Sequence, residues 1–443
     1  MALRALDLGT VFRRDRDVDV RLALGALQTH GTTLCRGEVE CVSRNGEQDY
    51  AKRGVNREQW RNLGFPAVAS RSLRYGESMA SEPIDLDANA TTPLLPAAWE
   101  AMQDAFRQFG NPSSAHAVGR RARQHLEDAR ERIANILGAL PDEVIFTSGA
   151  TEANNLAIFG SISPNARVLA SPIEHPCVIE PLRQLGAVEW LPVSPEGIVL
   201  AKCERAHFVT VLLANHETGA IQPVREIAAS LPTGVVFHTD AAQAVGKIPV
   251  HFRDLGVTSL AASAHKFRGP QGVGLLLLKK GTPLHPRTFG GHQQQGRRPG
   301  TEPVALVVGM AIALEQAVKC FPISTNARAR LWECLHALAS PVVLNGPAIG
   351  SQNALPTTLN VSFPGCRADL LLMALDLAGV ACSTGSACSS GSLLPSPVLQ
   401  AMGVPDEVLR SALRFSFDPA IALPVIDEAA ERIAKVVRKM REV

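Results

Sequence analysis

Two rhythms of hydrophobic and polar positions run along this chain, and one stretch obeys neither. Apolar residues recur at three- and four-residue spacing over 96–109 and 120–137, which predicts amphipathic helices. Runs of strand length fall at 167–171, 208–214, 235–239, 260–263 and 274–278. Residues 144–148 form a further short run, succeeded at once by Gly149 and a helix from Thr151. Strands that alternate with helices predict a mostly parallel α/β sheet covered on both faces. From about residue 336 a smaller α/β theme begins, with strands at 358–363 and 413–417 and helices at 369–377 and 421–438.

Residues 1–78 have poor apolar periodicity after Leu27 and many arginines alternating with acids. They read as an extension, loosely packed or disordered, or as sequence upstream of a true start at Met79. The acids argue against a targeting peptide. The expected organisation is therefore an extension (1–78), a large domain (95–335), and a small domain made from 79–94 and 336–443.

Composition narrows the function classes. A charged fraction of 19% and a net charge of +2 give no basic surplus for nucleic acid or anionic lipid. Aromatic residues, at 5%, are too sparse to interleave with basic ones in a nucleic-acid groove. No apolar run approaches the roughly 20 residues of a membrane span. The nine cysteines are an odd number, scattered singly, with no C-x-x-C pair and no zinc-like cluster. Free thiols in a reducing cytoplasm, and no metal site, are the expectation.

Four segments carry chemistry. Ser263-Ala264-His265-Lys266 closes an apolar strand. A buried ammonium is costly there, and an amine that forms a Schiff base removes the conflict. A lysine at a strand end is, taken alone, more often a surface residue. His238-Thr239-Asp240-Ala241-Ala242-Gln243 comes after another strand. A carboxylate at the C-terminal end of a parallel strand points into the crevice where such sheets bind ligands, although it equally suits a helix N-cap. Thr147-Ser148-Gly149-Ala150-Thr151-Glu152-Ala153-Asn154-Asn155 is strand, tight turn and helix start, the geometry of a phosphate site and a common one. Ser383-Thr384-Gly385-Ser386-Ala387-Cys388-Ser389-Ser390-Gly391-Ser392 is almost all small residues, a loop composition that exposes its cysteine.

Together these segments resemble the cysteine desulfurases, within the fold-type-I pyridoxal-phosphate enzymes. The resemblance covers about residues 84–440. It includes, in family order, Asp87-Ala88-Asn89-Ala90-Thr91-Thr92-Pro93, Gly110-Asn111-Pro112-Ser113-Ser114, Glu174-His175, Asn215-His216-Glu217-Thr218-Gly219 and Arg298-Pro299-Gly300-Thr301. The resemblance implies a large domain with a mostly parallel seven-stranded sheet and a smaller C-terminal α/β domain. It implies pyridoxal 5'-phosphate as cofactor and L-cysteine as substrate, with L-alanine as product and a persulfide on Cys388.

Residue by residue, Lys266 is implied as the Schiff-base lysine and Asp240 as the partner of the pyridine nitrogen. Gln243 meets the ring hydroxyl, and His175 stacks on the ring. Ala150, Thr151, Ser263 and His265 hold the phosphate. Thr301 reaches the phosphate of the other subunit, so a homodimer is implied. Asn360 and Arg414 grip the substrate carboxylate. Asn215 and His216 are implied as cofactor-binding: Asn215 is kept, but His216 stands where the family usually has a second asparagine, the one near the ring, and its imidazole can still donate to the ring oxygen. The implied setting is cytoplasmic sulfur transfer to an acceptor such as an iron–sulfur scaffold, in iron–sulfur cluster assembly, a tRNA-thiolation factor or a DNA phosphorothioation system, with no membrane and no direct nucleic-acid binding by this chain. Selenocysteine lyase is a rival within the fold. So is another class V aminotransferase-like lyase, which would not need Cys388. A non-catalytic scaffold is the rival outside it, and Lys266, Asp240 and Cys388 argue against that.

Overall fold

The computed structural model describes residues 82–200, 205–320, 326–385 and 395–442. The extension (1–78) and Cys388 lie outside the described residues.

The chain enters through a short strand, β1 (Ile84–Asp85), and then builds a seven-stranded sheet. Its strands are β2 (Val144–Thr147), β3 (Val168–Ala170), β4 (Val188–Trp190), β5 (Phe208–Thr210), β6 (Val236–Asp240), β7 (Ser259–Ser263) and β8 (Gly274–Leu278). They lie in the order β2-β8-β7-β6-β5-β3-β4. Neighbours from β7 to β4 are parallel, and β8 runs antiparallel to both β7 and β2. Sequence and structure thus agree on a mostly parallel sheet, and the central strands sit within about two residues of their expected ends. The expected run 208–214 stops pairing as a regular strand at Thr210. Beyond it, Val211 and Leu213 N–H still donate to His238 O and Asp240 O of β6, while Leu212 N–H donates to the buried Glu174 carboxylate (2.6 Å) instead of to a strand.

The faces of the sheet explain its apolar composition. Along β8, Leu275 and Leu277 enter one core and Leu276 and Leu278 enter another, as the two-residue period of a strand demands. A sheet buried on both faces therefore reads as a continuous apolar run. One face is covered by the helices Ala117–Leu137 and Val304–Lys319, the other by Ala150–Ser161 and Pro176–Leu185. Helix Val304–Lys319 approaches helix Pro96–Arg107 so closely that a Cβ on Gly309 would meet Met102 Cγ at 2.6 Å.

The later part of the chain forms a second sheet, β12-β10-β9, from β9 (Val343–Asn345), β10 (Thr358–Ser362) and β12 (Ala412–Ser416). Helices Ala327–Leu338, Ala368–Leu377 and Leu423–Arg441 build a second core against it, with Leu331, Leu371, Phe363, Phe415 and Ile433 at its centre. β1 joins this part by pairing in parallel with β11 (Val380–Ala381), and Ile84 and Leu86 enter the second core. That pairing launches residues 87–92 across the C-terminal edge of the large sheet.

Candidate active site

Parallel strands end together, so the residues just beyond β6 and β7 share one edge. A cleft of about 600 Å³ lies there. Asp240 is the last residue of β6, and Lys266 closes the 3-10 turn Ala264–Lys266 at the end of β7. Helix Ala150–Ser161 starts after β2, brought close because Gly274 of β8 has no side chain: a Cβ there would meet Gly149 Cα at 2.6 Å. The first residues after β1, Asn89 to Thr91, cross above. Asp240, His175, His216, Gln243, Lys266 and Arg414 all line the cleft, as do Ala150, Thr151, Ser263 and His265 at its helix end.

Asp240 is fixed from behind. Its Oδ2 accepts from Asn154 Nδ2 (2.8 Å) and its Oδ1 from Ala242 N–H (2.9 Å). Asn154 Oδ1 in turn meets His238 Nε2 (2.9 Å), whose other nitrogen meets Ser259 Oγ (2.8 Å). Complete burial drives the His238 ring down to about 3, so it stays neutral and its role is to orient Asn154. His175 caps helix Pro176–Leu185. Its Nδ1 accepts from Cys177 N–H (3.2 Å), which assigns the proton of the neutral ring to Nε2. Burial lowers the His175 pKa, against the opposing pull of Asp240. Burial also pushes the Cys177 thiol upward, with the Asp240 charge adding to it, so this cleft cysteine is no ready nucleophile.

Lys266 Nζ donates to the main-chain oxygens of Asn89 (2.6 Å) and Ala90 (2.9 Å). The helix end suits an anion. No side chain caps the first turn of Ala150–Ser161, so its leading N–H groups are left for a ligand. His265 stands beside it with its pKa lowered to about 4, first by burial and then by Lys266 and Lys247. A neutral ring there binds by hydrogen bonding rather than by charge. Together the uncapped turn, the lysine and the carboxylate fit a phosphate-bearing pyridine cofactor.

The opposite wall belongs to β12. Arg414 Nη2 pairs with Asp87 (2.6 Å) and Nη1 donates to His216 O (3.2 Å). Its Nε is buried and has no partner among the described residues, a donor left for an incoming carboxylate. Glu217 packs at the rim of this wall. It is fully buried, accepts from Ser396 Oγ (2.6 Å), and burial pushes its carboxyl up to about 7.

Three of the residues singled out from sequence sit elsewhere. Asn215 is used by its own turn, its Oδ1 accepting from Glu217 N–H and Thr218 N–H (2.9 Å each). Asn360, opposite Arg414 in the β10–β12 register, accepts from Asn345 Nδ2 (2.8 Å). Thr301 is exposed on the loop before helix Val304–Lys319. Conversely, Asn154, His238, Asp87, Asn89 and Lys247 belong to the site; the sequence motifs contain the first four but give them no role there. Asn154 carries a signal, three residues beyond Thr151 and so one turn down the same helix. His238 lies two residues before Asp240 on β6 and Lys247 four beyond Gln243, whereas Asp87 and Asn89 are joined to Arg414 and Lys266 only through space.

The sequence model of the aminotransferase class-V family matches residues 84–423. The cysteine desulfurase IscS of Dictyoglomus turgidum is 41% identical over 378 residues, covering 81% of this chain and 95% of its own. Among solved structures, a NifS-like protein superposes with a TM-score of 0.74 at 33% identity, over 81% of this chain and all of that one. SspA in complex with cysteine does so with a TM-score of 0.67 at 33% identity, over 76% of this chain and all of that one.

Proposed function

This chain belongs to the cysteine desulfurase family of class-V aminotransferases, which are pyridoxal-phosphate enzymes, and from that premise we propose that it takes sulfur from L-cysteine, releasing L-alanine and leaving a persulfide on Cys388. The observation that supports it most is the convergence of Lys266, Asp240, His175 and Arg414 on one cleft.

When bound, pyridoxal phosphate supplies an electron-withdrawing ring that loosens the bonds at the substrate carbon. Lys266 would carry it covalently, Asp240 would hold the ring nitrogen, and Gln243 and His216 would meet the ring oxygen, with Asn215 setting the turn behind them. The uncapped turn at Ala150 and Thr151, with Ser263 and His265, would hold the phosphate. Arg414, with Asn360 behind it in the register, would fix the substrate carboxylate. Lys266 Nζ, once displaced by the substrate amine, would move protons at the substrate carbons, and His175 Nε2 could give or take one. The Cys388 thiolate would attack the substrate sulfur. The carbon–sulfur bond breaks, the sulfur stays on Cys388, and the carbon takes a proton to become alanine.

The finer setting rests on the same premise: a homodimer in which Thr301 reaches the partner's cleft, a cytoplasmic location, and delivery to an iron–sulfur scaffold or a tRNA-thiolation factor. No helix among the described residues is long and apolar enough to cross a membrane.

The test is a single turnover with L-cysteine, alongside L-selenocysteine, and then peptide mass spectrometry. A persulfide on Cys388, equimolar alanine, and loss of sulfide release with retained cofactor absorbance in Cys388→Ser are expected. A persulfide on Cys382, or undiminished sulfide from Cys388→Ser, would remove the proposal.

A further inference from the structure

A second lysine lies behind the cleft and takes no part in the roles above. Lys247, in the turn after β6, is only 3% exposed. Among the described residues it forms no ion pair with a carboxylate; its Nζ donates to Asn89 Oδ1 (2.6 Å) and Gln243 Oε1 (2.5 Å). Burial lowers its pKa far below the ordinary lysine value, with Lys266 and Arg414 pushing the same way. Two acceptors use both N–H groups of a neutral amine.

The rest of the network shows what this amine determines. Asn89 Nδ2 donates to His216 O (3.1 Å) and Thr358 Oγ1 (3.0 Å). Gln243 Nε2 donates to Asn89 O (3.0 Å), the same oxygen that accepts from Lys266 Nζ (2.6 Å). Both amide NH2 groups therefore point away from Lys247, and both amide oxygens point at it. Among the described residues Lys247 is the donor that those two oxygens receive. An amide can flip by half a turn at little steric cost, so its orientation is decided by its partners. Gln243 lines the cleft and Asn89 lines it too.

We propose that Lys247 is a positioning residue: by holding the oxygen of Gln243 behind the cleft, it commits the Gln243 N–H that Asn89 does not use to the front, where it serves a ligand oxygen that accepts hydrogen bonds. This deepens the cofactor reading and rests on it, since the ligand oxygen in question is the ring oxygen of pyridoxal phosphate. Through Asn89 the same amine steadies the carbonyl that receives Lys266. Without Lys247, two buried amide oxygens lose their donor, Gln243 is free to turn its oxygen forward, and an oxygen facing an oxygen repels.

The test compares Lys247→Met, which keeps the length and removes the donor, with Lys247→Gln, which keeps a donor. Apoprotein is titrated with pyridoxal phosphate, and the bound form is titrated with acid and base while its visible absorbance is recorded. Lys247→Met should bind roughly ten-fold more weakly. Its absorbance midpoint should rise by about one pH unit, because a ring oxygen deprived of a donor holds a proton more tightly. Lys247→Gln should recover most of both. Wild-type affinity and midpoint in Lys247→Met would overturn the proposal, as would a Lys247→Gln variant that is folded yet as impaired as Lys247→Met. Should Lys247→Met not fold, Lys247→Gln decides alone: near-wild-type values support the role and a ten-fold loss removes it. Borohydride trapping separates this from the cofactor reading. An adduct on Lys266 in every Lys247 variant leaves that reading standing whatever the affinities, whereas an adduct on Lys247 in the wild type would defeat both.

Discussion

On the wall of the cleft built by the large sheet, the ring acid is held by a partner that is itself held. Asp240 is fixed by Asn154, Asn154 by His238, and His238 by Ser259. On the wall built by β12, Arg414 reaches Asp87 and a main-chain oxygen and keeps a buried Nε with no partner among the described residues. A completed network cannot reorganise during reaction, which suits a cofactor that stays in place through every turnover. An incomplete one keeps bonding capacity for a group that must arrive and leave. The two walls therefore divide the work, with the cofactor on the sheet and the substrate on β12.

Substitutions on the two walls should fail in different ways. The largest effect is expected from Lys266→Ala, which should lower sulfide release by about three orders of magnitude or more. Its visible absorbance should disappear on dialysis. Retention of a borohydride-stable adduct in that variant would break the division. Next, Arg414→Gln should raise KM for cysteine roughly 10- to 100-fold while the cofactor absorbance persists. If that variant instead lost its cofactor and kept its KM, β12 would not be the substrate wall.

Glu217 sharpens the comparison through pH. Its carboxyl is raised from about 4.5 to about 7 in the folded protein, by burial first. The folded state thus holds a proton that the unfolded state has already released between those values. Stability from this group is complete below about pH 4.5 and falls as the pH rises toward 7. Glu217→Gln should remove roughly 2–3 kcal/mol of that decline, measured by urea unfolding at pH 5 and pH 7.5. An equal decline in both proteins would show that the carboxyl titrates normally. The smallest effect should come from Cys382→Ser. Burial, then the Asp87 charge, pushes this thiol up to about 12, so it is no thiolate near neutral pH. Sulfide release within about twofold of wild type is expected, and a severe loss would give Cys382 a chemical part.

β8 is legible in the sequence because its residues are buried on both faces and so run apolar without interruption, and β6 and β7 are legible from the shorter apolar runs 235–237 and 260–262. Lys266 and Asp240 are legible because each stands at or just past the C-terminal end of a strand, and the family resemblance gives that position a role. Helix Val304–Lys319 is not legible as a helix: it is apolar nearly all round and lacks the stripe that reveals an amphipathic element. β4 escapes because three half-exposed residues at a sheet edge carry little pattern.

Sequence alone determined the alternation of strands and helices, and with the family resemblance it named the cofactor lysine, the ring acid and the substrate arginine. Those assignments depend on local order, which a linear reading preserves. Tertiary structure decided which groups hold them. Asn89 lies 158 positions from Lys247 and 177 from Lys266, yet one residue meets both. A hydrogen bond depends on distance and direction to within fractions of an ångström. Only the pairing of β1 with β11, together with the crossing of residues 87–92 over the sheet edge, supplies that geometry.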